Sequence, residues 1–207
     1  MNRLITFEGS EGCGKTTQIS LLKEKLETRG ETVLVTREPG GTPLGEKIRH
    51  LLKDAPEGKG MTDATELLLF SASRAELVTK VIAPALKEGA WVLCDRFTDS
   101  TFVYQGIARE LPIEFISTLN LFATGDLVPG LTLLLEVSPA KAAERMAHRA
   151  TRDRIEDEEP EFFDIVREGF VTLAESEPDR IKRINADADP GTVAEIIWTH
   201  FLHAFPA

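Results

Sequence analysis

Gly9-Ser10-Glu11-Gly12-Cys13-Gly14-Lys15-Thr16 fits G-x-x-x-x-G-K-[ST] at every fixed position. A short apolar run (Leu4, Ile5, Phe7) stands before it, and a segment with helical periodicity opens after it. Strand, glycine loop and helix in that order are the setting in which this spelling becomes a phosphate-binding loop. A polyphosphate needs many donors close together, and glycines let the backbone curl until successive N–H groups point inward. The following helix adds its unpaired N-terminal N–H groups and the positive end of its dipole. Lys15 is then the mobile cation for the β- and γ-phosphates, and the Thr16 hydroxyl is the expected Mg²⁺ ligand. The expected ATP-binding set is Gly9, Ser10, Glu11, Gly12, Cys13, Gly14, Lys15, Thr16 and Thr17. The bland alternative, a glycine-rich turn with a solvated lysine, does not explain why strand and helix flank it.

Outward from the loop, strand and helix signals alternate. Ile19, Leu22 and Leu26 share a helical face, and Gly30 is placed to end that helix. Thr32 to Thr36 reads as a strand, and Leu44, Ile48, Leu51 and Leu52 define the next helix. Asp63 with Glu66 reads as a capping box ahead of Leu67, Phe70 and Leu77. Pro84 is expected to divide that region from a further helix ending near Gly89. Trp91 to Cys94 is a continuous apolar run suited to a strand buried on both faces, and it stops at Asp95-Arg96. Between there and a helix from Pro112 to Thr124 the pattern assigns no element. Leu131 to Val137 is a fourth strand, Ala140 to His148 a short helix, and Glu161 to about Glu175 another. A strand at Ile181 to Ile184 and a C-terminal helix complete the order. Five strands separated by helices imply a parallel sheet with right-handed crossovers and helices on both faces, the P-loop NTPase three-layer sandwich. Ligands should lie beyond the carboxyl ends of the strands, where Glu11, Glu38, Asp95 and Arg96 fall.

The 207 residues read as one domain, 1–207, with no internal repeat or linker. No apolar run reaches the length of a membrane span and the N-terminus lacks a signal-peptide layout, so the expected location is cytoplasmic, away from membranes. A net charge of −10 argues against a nucleic-acid partner, since that needs a broad basic surface. Two cysteines, Cys13 and Cys94, make neither a disulfide framework nor a metal cluster. Cys13 reads as a small residue that fits the loop, the alternative being a thiol activated by nearby N–H groups. Asp95 is placed to hold a Mg²⁺ shell through water, and Arg96 offers a planar fork for phosphate. Phe70 and Arg74, four apart on a helix, share a face and could grip a base by stacking and an edge contact.

Several stretches together resemble bacterial thymidylate kinases: Arg37-Glu38-Pro39-Gly40-Gly41-Thr42, Leu68 to Arg74, Asp95-Arg96-Phe97 with Ser100 to Gly106, and Asp153-Arg154-Ile155-Glu156. They run in the family's order from about residue 3 to residue 190. The resemblance implies Mg²⁺-dependent transfer of the ATP γ-phosphoryl group to dTMP, giving dTDP and ADP within dTTP synthesis, by a cytoplasmic homodimer. It implies that Phe70 stacks on thymine, that Arg74 and Ser100 contact its edge with Gln105 nearby, and that Tyr104 packs by the deoxyribose. Glu11 would meet the region of the 3′-hydroxyl. Arg96 would hold the acceptor phosphate, with Glu38, Pro39 and Arg49 shaping that end and Arg37 left open. The loop itself has no arginine, so Arg149, Arg152 and Arg154, on a lid at about 149–159, become the catalytic candidates beside Lys15 and Arg96. By composition alone that lid is a solvated charged loop. Two positions depart from the family spelling: Phe97 stands where Tyr or His is usual, and Ile107-Ala108-Arg109 replaces further glycines. A kinase for another nucleoside monophosphate or a nucleoside is the near rival. A nucleotide-driven switch is the distant one, and the guanine motif Asn-Lys-x-Asp is missing.

Overall fold

The computed structural model describes residues 2–147 and 153–206, so Arg149 and Arg152 lie outside the described residues. Five strands, β1 (Leu4–Glu8), β2 (Val33–Arg37), β3 (Trp91–Asp95), β4 (Leu131–Glu136) and β5 (Ile181–Asn185), form one parallel sheet in the order β2-β3-β1-β4-β5. The three inner strands are apolar almost without break because both of their faces are covered; the two edge strands mix polar and apolar residues.

Alternation along the strands divides the core. Ile5, Phe7, Leu131 and Leu133 meet Ile19, Leu22 and Leu26 of helix α1 (Lys15–Thr28) and Val193, Ile197 and Phe201 of the C-terminal helix. Leu4, Val92 and Cys94 face the other way, toward Leu77, Val78 and Phe97. The expected sandwich of helix, sheet and helix is what forms. Chain order leaves β1 for one edge of the sheet and later returns to the other, so a crevice opens at the carboxyl end of β1.

Helix α2 (Pro43–Lys53) is capped by Thr42, whose side chain accepts from the Gly45 N–H. Helix α3 (Asp63–Leu77) is capped by Thr62 rather than Asp63, and Glu66 turns inward instead of closing a capping box. Pro84 does not break the segment. A π-helical turn (Val78–Ile82) carries α3 into helix α4 (Ala83–Lys87), whose second residue is the proline, so the chain changes its helical pitch just ahead of the ring instead of stopping. Residues left unassigned by the sequence pattern form helix α5 (Thr98–Thr101) and a second π-helical turn (Phe102–Ala108). Their inner face carries buried Asp99, Thr101 and Gln105, which spoil the apolar stripe that would have signalled a helix. Helices α6 (Ile113–Thr124), α7 (Pro139–Met146), α8 (Pro160–Ser176) and α9 (Pro190–Ala204) complete the layers.

Candidate active site

The glycine loop leaves β1 through Gly9, whose φ is +128° and whose added Cβ would lie 2.3 Å from the Leu135 carbonyl oxygen, so only glycine fits. Gly14, at φ +95°, opens α1. The buried Lys15 ammonium is bent back over the loop, donating to the carbonyls of Gly9 (3.2 Å) and Ser10 (3.1 Å). Cys13 is buried in the core cluster beneath the loop, as a small residue filling space.

Above the loop lies a cleft of about 550 Å³ lined by Gly12, Gly14, Lys15, Thr16 and Thr17, by Asp95 and Arg96, and by Arg37, Arg49, Lys53 and Arg145. Six cations therefore converge on one cleft of an otherwise acidic protein, beside five carboxylates, Glu11, Glu38, Asp95, Asp153 and Glu156. Asp95 Oδ1 is buried with no hydrogen-bond partner among the described residues, and its carboxylate lines the same cleft as Thr16. An orphaned carboxylate oxygen in the same cleft as a hydroxyl fits a hard cation that takes its other ligands from phosphate and water. No group of three or more His, Cys, Asp or Glu among the described residues could hold a metal unaided.

A second pocket shares Glu11, Glu38, Lys53 and Arg96 with this cleft and continues to Pro39, Phe70, Arg74, Ser100, Tyr104 and Gln105. Nine of the ten residues expected at the acceptor line it; Arg49 lies in the cleft, donating to the Pro39 carbonyl at 3.0 Å. Phe70 is half-buried on the wall. Arg96 sits where the two chambers meet. Its Nη2 donates to Glu11 Oε1 (2.9 Å), its Nη1 to Ser100 Oγ (3.1 Å), and its guanidinium lies 5.2 Å from the Tyr104 ring centroid. Its backbone is left-handed (φ +67°), a conformation that costs about 1–3 kcal/mol for a non-glycine residue and marks a position fixed by its surroundings. Burial pushes the Glu11 carboxyl up, but Arg96, Lys15 and Lys53 together hold it well below the usual carboxylate range, so the Arg96–Glu11 pair is ionised at neutral pH.

Two side chains are committed differently from the sequence reading. Arg74 is 1% exposed and pairs with Glu38 through Nε (2.8 Å) and Nη2 (2.6 Å); it also donates to Asn120, Phe97 O and Thr101. Four of its five N–H hydrogens meet acceptors among the described residues, and the fifth, on Nη1, has none there. The Ser100 hydroxyl donates to Glu8 Oε2 (2.6 Å) and accepts from Arg96, so its contacts serve the arginine.

Residues 153–158 dock on α2 and α3. The Arg154 N–H donates to the Lys53 carbonyl (3.1 Å), its Nε to Leu52 O (2.9 Å) and its Nη2 to Glu66 Oε2 (2.5 Å). Lys53 Nζ meets Asp153 at 2.6 Å. Glu66 also accepts from Gln105 Nε2 (2.9 Å) and from Arg109, which continues to Glu158. The arginine expected over ATP is thus held on Glu66 here, and it lines neither chamber. Glu8, Lys53, Glu66 and Arg145 belong to no motif that spacing alone would flag; Glu66 gave only a misleading cap signal.

At the other end of the cleft Arg145 links Gly12 O (3.2 Å) to Ala186 O (2.9 Å), and a small pocket opens among Thr17, Gln18, Arg145, Ala186 and Pro190. Of the loop after β5, Ala186 and Ala188 line that pocket. Asp187 accepts from the Ser138 N–H, and Asn185 from that of Asp187.

A glycine loop on a parallel sheet, opening into a basic cleft that runs into a second, aromatic-walled chamber, defines a P-loop phosphotransferase with a small-molecule acceptor. A family model described as thymidylate kinase matches residues 7–197. A thymidylate kinase of a Synechococcus strain is 51% identical over 195 residues, 94% of this chain and 92% of the relative. One from Geobacter sulfurreducens is 49% identical over 100% of this chain and 99% of its own. The crystal structure of thymidylate kinase from Ehrlichia chaffeensis matches with a TM-score of 0.79 at 35% identity, covering 96% of this chain and 97% of that one. The chain belongs to the thymidylate kinase family, and its reaction is transfer of the γ-phosphoryl group of ATP to dTMP, giving dTDP and ADP.

Proposed function

We propose that the cleft holds the ATP triphosphate, that the aromatic-walled chamber holds dTMP, and that Arg96 grips the acceptor phosphate between them. The observation that carries this reading is the shared lining: Arg96 and Glu11 belong to both chambers, so two phosphorylated ligands would meet tail to tail at one guanidinium. Thymine stacks on Phe70, with the remaining Nη1 hydrogen of Arg74 at its edge and Gln105 close by. Tyr104 packs against the deoxyribose, Glu38 and Pro39 close the phosphate end, and Arg49 faces the transferring group from the cleft. Adenine lies against Arg145 and Ala186, whose pocket is also lined by Cys13 and Gly14 of the glycine loop.

The acceptor is already an anion, so no strong general base is needed. The difficulty is to align two anions and offset charge as the phosphoryl group moves. Lys15 and the loop N–H groups serve the donor and Arg96 the acceptor. Thr16 and, through water, Asp95 would hold Mg²⁺, which when bound would supply further charge neutralisation. Arg149, Arg152 and Arg154 supply further cations to the transferring group, Arg154 after leaving Glu66. The whole chain acts as one cytoplasmic domain, paired with a second copy; among the described residues no helix is long and apolar enough to cross a membrane.

Phe70→Ala tests the pocket assignment. Stacking on a base is worth about 1–3 kcal/mol, so the KM for dTMP should rise ~5- to 150-fold while the KM for ATP stays within twofold. An unchanged KM for dTMP in a coupled ADP-release assay would put the thymine elsewhere.

A further inference from the structure

We propose that Glu8, the last residue of β1, is a positioning residue for the reaction: its carboxylate fixes the turn at 96–100 that aims Arg96 between the two chambers. The proposal rests on the assignment of Arg96 to the acceptor phosphate. Glu8 is 1% exposed and touches neither chamber, and the glycine-loop motif begins one residue after it. Its carboxylate nevertheless receives three hydrogen bonds from the segment carrying Arg96. Oε1 accepts from the N–H of Phe97 (2.8 Å) and of Ser100 (3.3 Å), and Oε2 from the Ser100 hydroxyl (2.6 Å).

The adjacent residue of β1 completes the grip. The Arg96 N–H donates to the Phe7 carbonyl at 3.0 Å. Residues 7 and 8 therefore hold the peptide groups on both sides of an arginine whose φ is +67°, and a left-handed non-glycine residue needs that kind of support. The second connection is through the side chain. Ser100 gives its proton to Glu8, which turns its oxygen lone pairs toward Arg96 Nη1 at 3.1 Å. A relay of Glu8, Ser100 and Arg96 results, and Glu11 holds the opposite edge of the same guanidinium.

A carboxylate at this position is expensive for the fold. Burial, then nearby Asp99, push its carboxyl up to about 7, opposed by Arg96 and by the hydrogen bonds from Ser100 and Phe97. Cys94 and Tyr104 also lie within its field. An apolar residue would fill the space without that cost but could not receive the three donors. The coupling between β1 and the 96–100 turn explains how the loop that binds the donor and the arginine that binds the acceptor keep one geometry.

Glu8→Gln is the decisive variant. Its amide oxygen still accepts from Phe97, but its NH₂ faces the Ser100 hydroxyl as a donor and breaks the relay. Misplacing a reacting group by about 1 Å costs ~10²-fold, so kcat/KM for dTMP should fall roughly 10- to 100-fold. The dissociation constant of a non-hydrolysable ATP analogue should stay within twofold, and far-UV circular dichroism should match the parent. Ser100→Ala should lower kcat/KM for dTMP, and adding it to Glu8→Gln should cause little further loss, since both break one relay. Glu8→Asp, which keeps the charge, should restore part of the activity. If Glu8→Gln leaves kcat/KM for dTMP within twofold, or if the two losses multiply independently, the relay is overturned. Arg96→Ala, assayed in parallel, separates the two readings. A large loss there beside an unaffected Glu8→Gln removes the role of Glu8 alone, whereas no loss in Arg96→Ala removes the assignment of the acceptor phosphate as well.

Discussion

Arg74 illustrates what a single side chain reveals only after folding. Its spacing from Phe70 puts both residues on one face of α3, which the sequence makes plain. Its chief partner, Glu38, lies 36 positions away at the end of β2, and no local pattern announces that pairing. The same holds for Glu8 and Ser100, 92 positions apart. Motif spelling therefore identifies who stands at the pocket, while the hydrogen bonds that say which group faces a ligand and which braces a neighbour are long-range. Glu38 is buried, and that burial pushes its carboxyl upward against the pull of Arg74. Removing one member of such a pair strands the other charge, at a cost of about 3–5 kcal/mol. Glu38→Ala should lower the unfolding free energy by that amount in a urea titration. Glu38→Gln should cost less than half as much, because an amide oxygen still accepts from the Arg74 Nε. A loss below ~1 kcal/mol in Glu38→Ala would mean that water or a shifted side chain replaces the carboxylate.

Among the elements, the strands were the most legible part. β1, β3 and β4 read as apolar runs because the sheet is covered on both sides, and their order with the intervening helices dictates a parallel sheet. The segment 97–111 was opaque because its buried face is polar, and the helix break expected at Pro84 disappeared into a π-helical turn. The capping-box reading of Glu66 failed for a related reason: a carboxylate in the first turn can serve a distant cation instead of its own helix. Glu66 holds Arg154, Arg109 and Gln105 at once, joining α3, the second π-helical turn and the 153–158 segment. Buried, charge-assisted hydrogen bonds contribute about 1.5–3 kcal/mol each. Glu66→Ala should therefore raise amide hydrogen exchange ~10-fold or more at 154–157, where N–H groups are satisfied by Lys53 and Asp153. Arg154→Ala should loosen the same amides and, in steady-state assays, lower turnover far more than it raises the KM for dTMP. Unaltered exchange in Glu66→Ala would show that Lys53 and Asp153 hold the segment unaided.

For the molecule as a whole, three neighbouring helices carry most of the exposed large apolar side chains. α3 packs against α2 and against α6, and each of the three carries exposed apolar side chains: Leu44 and Leu51 on α2, Leu68 on α3, Phe115 and Phe122 on α6. Phe122 is 84% exposed, an unusual state for a phenylalanine in a monomer with a well-filled core. Residues 115 and 122 are two helical turns apart and so fall on one side of α6, as do 44 and 51 on α2. The second copy of the chain proposed above would cover these stripes, because a twofold axis would set each patch against its own counterpart. Such a pairing would bear on the site as well: α2 carries Arg49 and Lys53, and α3 carries Phe70 and Arg74, so helices that line both chambers would be braced from behind. Burying one phenylalanine contributes about 1.5–3 kcal/mol, and a twofold interface contains the residue twice. Phe122→Asp should therefore weaken self-association by at least ~100-fold, moving the sedimentation coefficient from that of a dimer to that of a 22.9 kDa monomer at micromolar concentration. A parent protein that sediments as a monomer, or a Phe122→Asp variant that remains a dimer, would place the contact on another face.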